Sequence, residues 1–289
     1  MRILLIAPNS VNIDPWIPEL TKRGHQVIVN NLNIQKPDLI LGASISVIRN
    51  INRASQLFPD VPMINYNWDV YEWVWKNPRG YDWKGYGNLL KKSHEVWCPS
   101  DSVVRRNKEW FSIPEEKSII IKTFARLFDY DGDVKDCRYI YNPLRKIPDR
   151  NVGWLLKACR ELDIPLVESG HKLNEAQFKK TILECSFMVC EYYEASTGGL
   201  TLIEGHKYGK SVLISDSPYM GAQDYFGDRA EYFKHDDYNA FKKKIEDLWE
   251  NTPVLNRKEC EDFVQQYTIE RMVDKMQERL KILGGCKNE

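Results

Sequence analysis

Residues 187–216 of the chain read FMVCEYYEASTGGLTLIEGHKYGKSVLISD. Two short apolar runs, Phe187–Cys190 and Ser211–Ile214, predict buried parallel strands, because a strand covered on both faces is continuously hydrophobic. Between them a turn of small residues leads into Leu200–Tyr208, which predicts a helix. The order strand, turn, helix, strand predicts one unit of a parallel, doubly wound α/β sheet.

The same alternation extends over the rest of the chain. The other predicted strands are Arg2–Ala7, Gln26–Val29, Leu39–Leu41, Met63–Tyr66, Glu95–Cys98, Ser118–Ile121, Arg138–Tyr141 and Pro165–Val167. The other predicted helices begin near Asp14-Pro15 and Pro99-Ser100-Asp101 or span Asn151–Leu162, Asn174–Cys185, Ala240–Trp249, Lys258–Gln266 and Ile269–Leu283. The pattern predicts two Rossmann-like domains, each with a parallel sheet between helices.

The length of 289 residues also fits two domains, at about 150 residues for each. We expect a first domain at residues 1–130 and a second at 131–267, joined through the polar stretch Asp129–Asp136. Residues 268–289 predict a last helix. The first 126 residues hold 17 basic and 12 acidic side chains, whereas the remainder is acidic in balance. The first domain could therefore favour an anionic acceptor.

Composition excludes several classes of protein. Hydrophobic residues make up 43% of the chain, which argues against disorder, and no apolar run approaches the length of a membrane span. The seven cysteines are an odd number without C-x-x-C spacing or a preceding export signal, so we expect reduced thiols and a cytoplasmic protein. Cys185 and Cys190 are expected to be small buried hydrophobes.

The turn before the predicted helix has the chemistry of an anion site. Its small residues and the first helical turn expose backbone N–H donors, and the helix dipole adds to their attraction for phosphate. These residues are Ser196, Gly198, Gly199, Leu200 and Thr201. Glu204 follows about one turn later, where a carboxylate can accept two hydrogen bonds from a ribose diol. A flexible turn with a surface glutamate is the alternative interpretation.

A second segment, LRKIPDRN at 144–151, lies between a predicted strand and a predicted helix. Arg145 and Arg150 flank its Pro-Asp turn at the carboxyl end of the strand, where open α/β sheets bind ligands. The planar guanidinium group makes paired, charge-assisted hydrogen bonds to phosphate. Arginines exposed to solvent in a turn are the alternative.

Together the two segments resemble the nucleotide-sugar-binding domain of GT-B glycosyltransferases, particularly the retaining family 4 (glycosyl transferases group 1). That family carries G-R-x-x-x-x-K-G between a strand and a helix. Residues 144–151 match it with Arg145 and Arg150 at the basic positions, although both glycines are absent. The family also carries E-G-F-G-L-P-x-x-E-A-x-x-x-G-x-P-V-V-x-S-D, which Gly199–Glu204 and Gly209–Asp216 follow.

The front of the second motif departs from the family pattern. The family's spacing between its two glutamates would put Ser196 at the position of the first, whereas Glu194 lies two residues earlier, so we infer a two-residue insertion in the turn. Segments of lower specificity resemble the end of the family's first domain and the start of its last helix, which crosses back to the first domain. The resemblance covers about two thirds of the chain and is best between Tyr139 and Asp228.

The resemblance implies two Rossmann-like domains that face a central cleft, with a nucleoside diphosphate sugar such as a UDP-sugar on the second. Arg145, Arg150 and the turn before Leu200 would neutralise the diphosphate, and Glu204 would hold the ribose. Glu194 would contact the sugar or its developing charge. His171 lies near the expected place of the base. The family needs no metal or other cofactor and retains the anomeric configuration, with the leaving phosphate as the base.

The acceptor side rests on weaker signals. Asn65–Tyr86 holds eight aromatic residues, which would stack on sugar rings or unpaired bases, or pack in the core. Asn67, Trp68 and Asp69 fall near a His-Asp pair of the family, although the histidine is missing. Asn9 and Ser10 replace its usual glycines after the first strand. A glycan, a lipid-linked glycan and a modified nucleic acid all remain open as acceptors.

Two other functions share this architecture. A nucleotide-sugar 2-epimerase would release an epimerised nucleotide sugar, but it needs several acid–base residues around the sugar. A nucleotide-sugar- or carbohydrate-binding protein without catalysis would fit the altered glutamate spacing and the missing histidine. Glycosyl transfer is the leading hypothesis because both donor motifs occur in the order and context that the resemblance requires.

Overall fold

The computed structural model describes residues 1–8, 12–68, 80–130, 132, 134–143, 153–168, 173–190, 199–218 and 220–285. The described residues form two compact units. The first contains the chain up to Phe124 and again from Ile269, and the second contains Ala125–Thr268. The first unit thus ends at Phe124, before residue 130, and the last helix belongs to it.

The first unit contains a six-stranded sheet in the order β2-β1-β3-β4-β5-β6. Its strands are β1 (Arg2–Ile6), β2 (Gln26–Val29), β3 (Leu39–Ala43), β4 (Met63–Tyr66), β5 (Glu95–Cys98) and β6 (Ser118–Ile120). All neighbouring strands are parallel. The central strands are buried along nearly their whole length, as continuous apolar runs require.

Among the residues that the structure describes, five α-helices cover this sheet. They are α1 (Trp16–Lys22), α2 (Ile48–Leu57), α3 (Trp83–Lys92), α4 (Asp101–Phe111) and α11 (Ile269–Gly285). Because crossovers between parallel strands are right-handed, α2, α3 and α4 lie on one face, where α2 contacts α3 and α3 contacts α4. The connection from β1 to β2 moves toward the opposite edge of the sheet from the connections between β3 and β6. Helix α1 therefore lies on the other face, where it packs against α11.

The second unit contains a five-stranded parallel sheet in the order β11-β10-β9-β7-β8. Its strands are β7 (Ile140–Asn142), β8 (Leu166–Glu168), β9 (Phe187–Cys190), β10 (Ser211–Ser215) and β11 (Glu231–Phe233). Its helices are α5 (Gly153–Glu161), α6 (Glu175–Glu184), α7 (Leu200–His206), α8 (Ala222–Phe226), α9 (Tyr238–Glu250) and α10 (Arg257–Val264). Apolar clusters on both faces of the sheet form its core.

The structure confirms the predicted α/β class and every predicted strand to within two residues. Helices α2, α3 and α8 and the strand β11 are additional to the prediction. The sequence favours Asp14 as the cap of α1 and Pro15 as its first residue. This prediction was wrong, because Pro15 precedes the first helical residue and no side chain caps α1. Cys185 and Cys190 are fully buried, as expected. None of the described helices is long and apolar enough to cross a membrane.

A buried ion pair connects α11 to the first sheet. The side chain of Glu95, on β5, is only 8% exposed and receives both the Nε and Nη2 groups of Arg279, on α11. The indole Nε1 of Trp97 donates to the same carboxylate at 2.8 Å. Since removal of one partner leaves the other charge buried, this pair matters more than an exposed ion pair.

We therefore predict that Arg279→Met lowers the free energy of unfolding of the first unit by about 2 kcal/mol, because Glu95 loses its counter-ion. Urea denaturation with fluorescence detection measures the loss. Lys275→Met on the same helix is the control, because Lys275 is 63% exposed and pairs only with Glu278, so its change is expected below about 0.5 kcal/mol. Equal effects of the two substitutions would contradict the account.

Candidate functional site

The second sheet has one topological switch point, between β7 and β9. The chain passes from β7 through α5 to β8 on one side, and then through α6 to β9 on the other side of β7. Tyr141 on β7 is paired in register with Met188 on β9, so the two strands end at nearly the same level. In open α/β sheets, the crevice outside the carboxyl ends of two such strands binds ligands.

Both segments with donor-binding motifs start at this switch point. The first begins after Asn142, the last residue of β7, and ends where α5 begins at Gly153. The second begins after Cys190, the last residue of β9, and ends at Gly199, which precedes α7. Arg145, Arg150, Glu194, Ser196 and Gly198 lie within the two segments, and His171 follows β8. These six residues lie outside the described part of the chain, so their roles stay predictions.

Gly199 has a backbone conformation that glycine alone adopts readily. Its φ is 134° and its ψ is 10°, and its carbonyl accepts hydrogen bonds from the N–H groups of Leu202 and Ile203. A Cβ at this position would lie 3.1 Å from the Cβ of Ala222, which is closer than ordinary packing allows. Gly199 therefore sets the direction in which the chain enters α7, where Leu200 and Thr201 form the half-buried first turn.

Glu204 lies on α7 and is 5% exposed. Its Oε1 accepts the backbone N–H of Arg126 at 3.1 Å, within the same unit. Burial raises the pKa of Glu204 to about 7, and the Arg126 N–H and charge oppose that rise only in part. The surface position that the alternative interpretation gives to Glu204 was therefore wrong. Among the described residues, the Arg126 N–H is the one hydrogen-bond donor to this carboxylate, which can accept further donors, such as ribose hydroxyl groups.

Close packing fixes the position of α7 and of the chain segment beside it. Gly205 lies against Met188 of β9 so closely that a Cβ would reach within 2.1 Å of its sulfur. The Nζ of Lys207 donates to the carbonyl of Phe128 at 2.7 Å, and the Tyr208 hydroxyl donates to the same carbonyl. The segment from Ala125 to Phe128 is thus held against α7 at three points, of which Glu204 is the first.

The carboxyl ends of the next two strands carry groups that the sequence analysis did not assign to the site. Asp216 follows β10, and its Oδ1 accepts the backbone N–H of His235 at 2.9 Å and lies 2.8 Å from its Nδ1. The amide of Gln223 donates to the carbonyls of Ser215 and Ser217 and holds this loop in place. The position of His235 beside Asp216 could not be foreseen, because β11, which precedes it, was not predicted.

The first sheet has its own switch point, between β1 and β3. Asn9 and Ser10 come directly after the described end of β1 and lie outside the described residues. The side-chain amide of Asn30 makes two hydrogen bonds with the backbone of Ala7. Its Oδ1 accepts the Ala7 N–H, and its Nδ2 donates to the Ala7 carbonyl. Asn30 thereby fixes the chain shortly before residues 9 and 10.

Asn67 and Trp68 follow β4 at the same edge of the first sheet. Two strand spacings separate β4 from β1, which corresponds to about 10 Å. Asn67 is fully buried, with its Oδ1 accepting from the Tyr86 hydroxyl and its Nδ2 donating to Asn107. This network gives Asn67 a positioning role for the chain that follows it, and its acceptor contact stays a prediction. Asp69 lies outside the described residues.

The described aromatic residues of the 65–86 segment favour the core-packing alternative. Tyr66, Trp83 and Tyr86 are buried. Trp68 is half-buried and packs edge-on against Tyr66 at 5.4 Å between ring centroids and against Trp16 at 6.1 Å. These rings fill the first core, so the density of aromatics there does not by itself indicate a stacking platform.

Comparison with known proteins identifies solved structures of similar fold. No profile of a known protein family and no sequence of a curated protein matches the chain. Solved structures do match. Sucrose-phosphate synthase from Thermosynechococcus elongatus is similar with a TM-score of 0.78 and 12% identity, over 99% of this chain and 100% of its own. A glycosyltransferase from Rickettsia africae is similar with a TM-score of 0.68 and 14% identity, over 100% and 99%.

Anabaena HepE in complex with UDP-glucose is a third similar structure, with a TM-score of 0.69 and 12% identity over 97% of this chain and 99% of its own. At such identities the likeness shows the fold. The two parallel-sheet α/β units and these neighbours together show the GT-B fold that the sequence motifs predict.

Substitution of Gly199 tests the geometry of the entry to α7. We predict that Gly199→Ala lowers the free energy of unfolding by about 2 kcal/mol, because alanine is strained at this φ and its methyl group meets Ala222. Chemical denaturation measures the change. Gly284→Ala is the control, because a Cβ there lies at an ordinary 3.8 Å from Met1. If both substitutions were neutral, the tight turn at Gly199 would be wrong.

Substitution of Glu204 tests its burial. Because the pKa of Glu204 is raised above that of an unfolded glutamate, the folded chain loses stability as pH rises between about 4.5 and 7. We predict that Glu204→Gln raises the melting temperature by roughly 5 °C at pH 8 and much less at pH 5, where the wild-type carboxyl is protonated. Differential scanning fluorimetry measures both.

The matched control is Glu250→Gln, which removes a charge from an exposed position on α9. Its effect should be small and similar at the two pH values. A Glu204→Gln variant that is no more stabilised at pH 8 than at pH 5 would contradict a buried, charged Glu204.

Proposed function

We propose that the chain is a glycosyltransferase that moves a sugar from a nucleoside diphosphate sugar to an acceptor hydroxyl. One observation carries this proposal: the two segments with donor-binding motifs start from adjacent strands at the switch point of the second sheet. The strands that precede the two patterns thus end side by side at an edge position where open α/β sheets bind ligands.

The donor would lie across the carboxyl ends of β7 and β9. In this proposal Arg145 and Arg150 neutralise the diphosphate, and the backbone N–H groups from Ser196 to Thr201 add donors. The ribose lies on Glu204, whose buried carboxylate offers acceptors that water reaches poorly. His171, after β8, approaches the base. Glu194 contacts the sugar hydroxyls or the charge that develops on the sugar.

We infer that the donor is a UDP-sugar. Support comes from HepE, which is similar in fold and is described as a complex with UDP and with UDP-glucose. The proposal covers both hexoses and pentoses, so UDP-sugars of both kinds should be tested as donors.

The proposed reaction retains the anomeric configuration. The bond between the sugar C1 and the diphosphate oxygen breaks while the acceptor oxygen forms a new bond on the same face of the sugar. The acceptor proton passes to the leaving phosphate, which the two arginines stabilise as negative charge develops on it. This proposal needs no metal and no other cofactor. Glu194 stabilises the positive charge on the sugar and does not form a covalent bond.

The acceptor would bind at the carboxyl edge of the first sheet. Asn9 and Ser10 after β1, and Asp69 after β4, offer amide, hydroxyl and carboxylate groups at strands about 10 Å apart. Asn67 and Trp68 precede Asp69 and hold the chain at the end of β4. A glycan hydroxyl is the proposed acceptor group. Buried, unpaired cysteines such as Cys98 and Cys185 are consistent with the proposed cytoplasmic location.

We predict that Arg145→Ala combined with Arg150→Ala lowers kcat/KM for the donor at least a hundredfold, because each charge-assisted bond to phosphate contributes about 1.5–3 kcal/mol. Hydrolysis and transfer are followed by release of free nucleoside diphosphate over a panel of UDP- and GDP-sugars. Arg160→Ala combined with Lys180→Ala is the control, because it removes two exposed cations from α5 and α6 of the same unit.

The products separate this function from its two alternatives. Free nucleoside diphosphate with a glycosylated acceptor supports transfer. An epimerised nucleotide sugar would instead indicate an epimerase, and binding without turnover would indicate a catalytically inactive binding protein. Unchanged turnover in the double arginine variant would contradict the proposed donor site.

A further inference from the structure

The two adjacent helices α2 and α3 share an unusual charge composition. Both carry basic residues and neither carries an acidic residue, and they are the only two of the described α-helices of which this is true. They lie next to each other on one face of the first sheet. Every charge that the two helices contribute to the solvent side is therefore positive.

Helical spacing brings the basic side chains to that solvent side. Arg49 and Arg53 are four residues apart on α2, and Lys84 and Lys91 are seven apart on α3, so each pair lies along one stripe of its helix. Lys92 adds a fifth charge, and all five residues are exposed. We call these five residues the α2–α3 basic face.

No described acidic residue forms an ion pair with the α2–α3 basic face. The acidic residues nearest to it in sequence lie just beyond the helix ends and have other partners. Asp60 pairs with Lys36, Asp82 accepts the backbone N–H of Gly85 and so caps α3, and Glu95 pairs with Arg279. None of these carboxylates forms an ion pair with the five basic side chains.

The opposite face of the same sheet shows the usual arrangement. On α1 and α11 the basic side chains pair with carboxylates, as in the contacts of Arg23 with Asp274 and of Lys275 with Glu278. Exposed lysines on α9 and α10 pair in the same way. The excess on α2 and α3 is thus a local feature of one surface.

We propose that the α2–α3 basic face docks the protein on an anionic lipid bilayer. Two helices packed side by side present their charges over a broad face, and clusters of four to eight Lys and Arg residues on amphipathic helices bind anionic headgroups. Leu57, at the end of α2, is 51% exposed beside this face and adds an apolar contact with the boundary of the acyl chains.

The described residues of α2 and α3 lack the features that single-stranded nucleic acid requires. Binding of unpaired bases uses exposed aromatic rings between the basic residues. The aromatic residues of α3, Trp83 and Tyr86, are both buried in the core, and α2 has none. The observations therefore favour a charged surface over a polynucleotide strand.

This inference does not depend on the proposed sugar transfer. The α2–α3 basic face belongs to the first unit, whereas the donor motifs belong to the second. A failure of vesicle binding would leave the donor site untouched, and a failure of donor turnover would leave the docking surface untouched. If the acceptor is held in or on a membrane, such docking would keep the enzyme at the membrane surface where the acceptor lies.

The test is co-flotation of the full chain with phosphatidylcholine vesicles that contain 0% or about 30% phosphatidylglycerol. We expect binding to the anionic vesicles only, and weaker binding as salt rises from about 50 to about 300 mM. Substitution of Arg49, Arg53, Lys91 and Lys92 by Gln should lower the partition coefficient at least a hundredfold, because each basic residue at an anionic surface contributes roughly fivefold.

The control substitutes four exposed lysines on other helices by Gln, so that net charge falls equally. These are Lys180, Lys243, Lys258 and Lys275. It should float like the unchanged protein, and unaltered melting temperatures show that both variants fold. Equal loss in the two variants would overturn the proposal, as would equal binding to neutral and anionic vesicles. Binding to an oligonucleotide without binding to anionic vesicles would overturn it in favour of nucleic acid.

Discussion

The handedness of its crossovers constrains the second unit more than any single contact does. Parallel strands are joined by right-handed connections. The loops after β7 and β9 therefore leave two adjacent strands in opposite directions at the switch point of the sheet. Every residue that we assign to the donor lies in the loops after β7, β8 and β9 or on α7, which follows the last of them. The chemistry of the site is therefore a consequence of strand order before it is a consequence of individual side chains.

The proposed ribose contact of Glu204 would exchange stability for binding. This buried carboxylate, with one backbone donor among the described residues, has its pKa raised to about 7 and weakens the free protein at neutral pH. The cost is removed when further donors reach the carboxylate, as ribose hydroxyl groups would. The N–H group that Glu204 already holds belongs to Arg126, in the segment where the chain enters the second unit. Occupation of Glu204 and the position of that segment are thus physically linked.

Sequence reasoning succeeded where burial leaves a strong pattern. β1, β9 and β10 are continuous apolar runs, and their prediction needed no knowledge of the partner strands. It failed for α3, because Gly85 and Gly87 interrupt the helical pattern and the aromatic residues around them suggested a binding segment. β11 was missed because it is three residues long and mostly half-buried, so it has little apolar signal of its own.

For the site, the order of the motifs could be predicted but the environment of each residue could not. The burial of Glu204 depends on Gly205 contacting Met188 and on the Ala125–Phe128 segment, which is distant in sequence. A crystal structure of the complex with UDP tests the central claim most directly. The account predicts the diphosphate between the loops that follow β7 and β9, with both ribose hydroxyl groups within hydrogen-bond distance of the Glu204 carboxylate. UDP bound away from those loops, or with its ribose remote from Glu204, would contradict it.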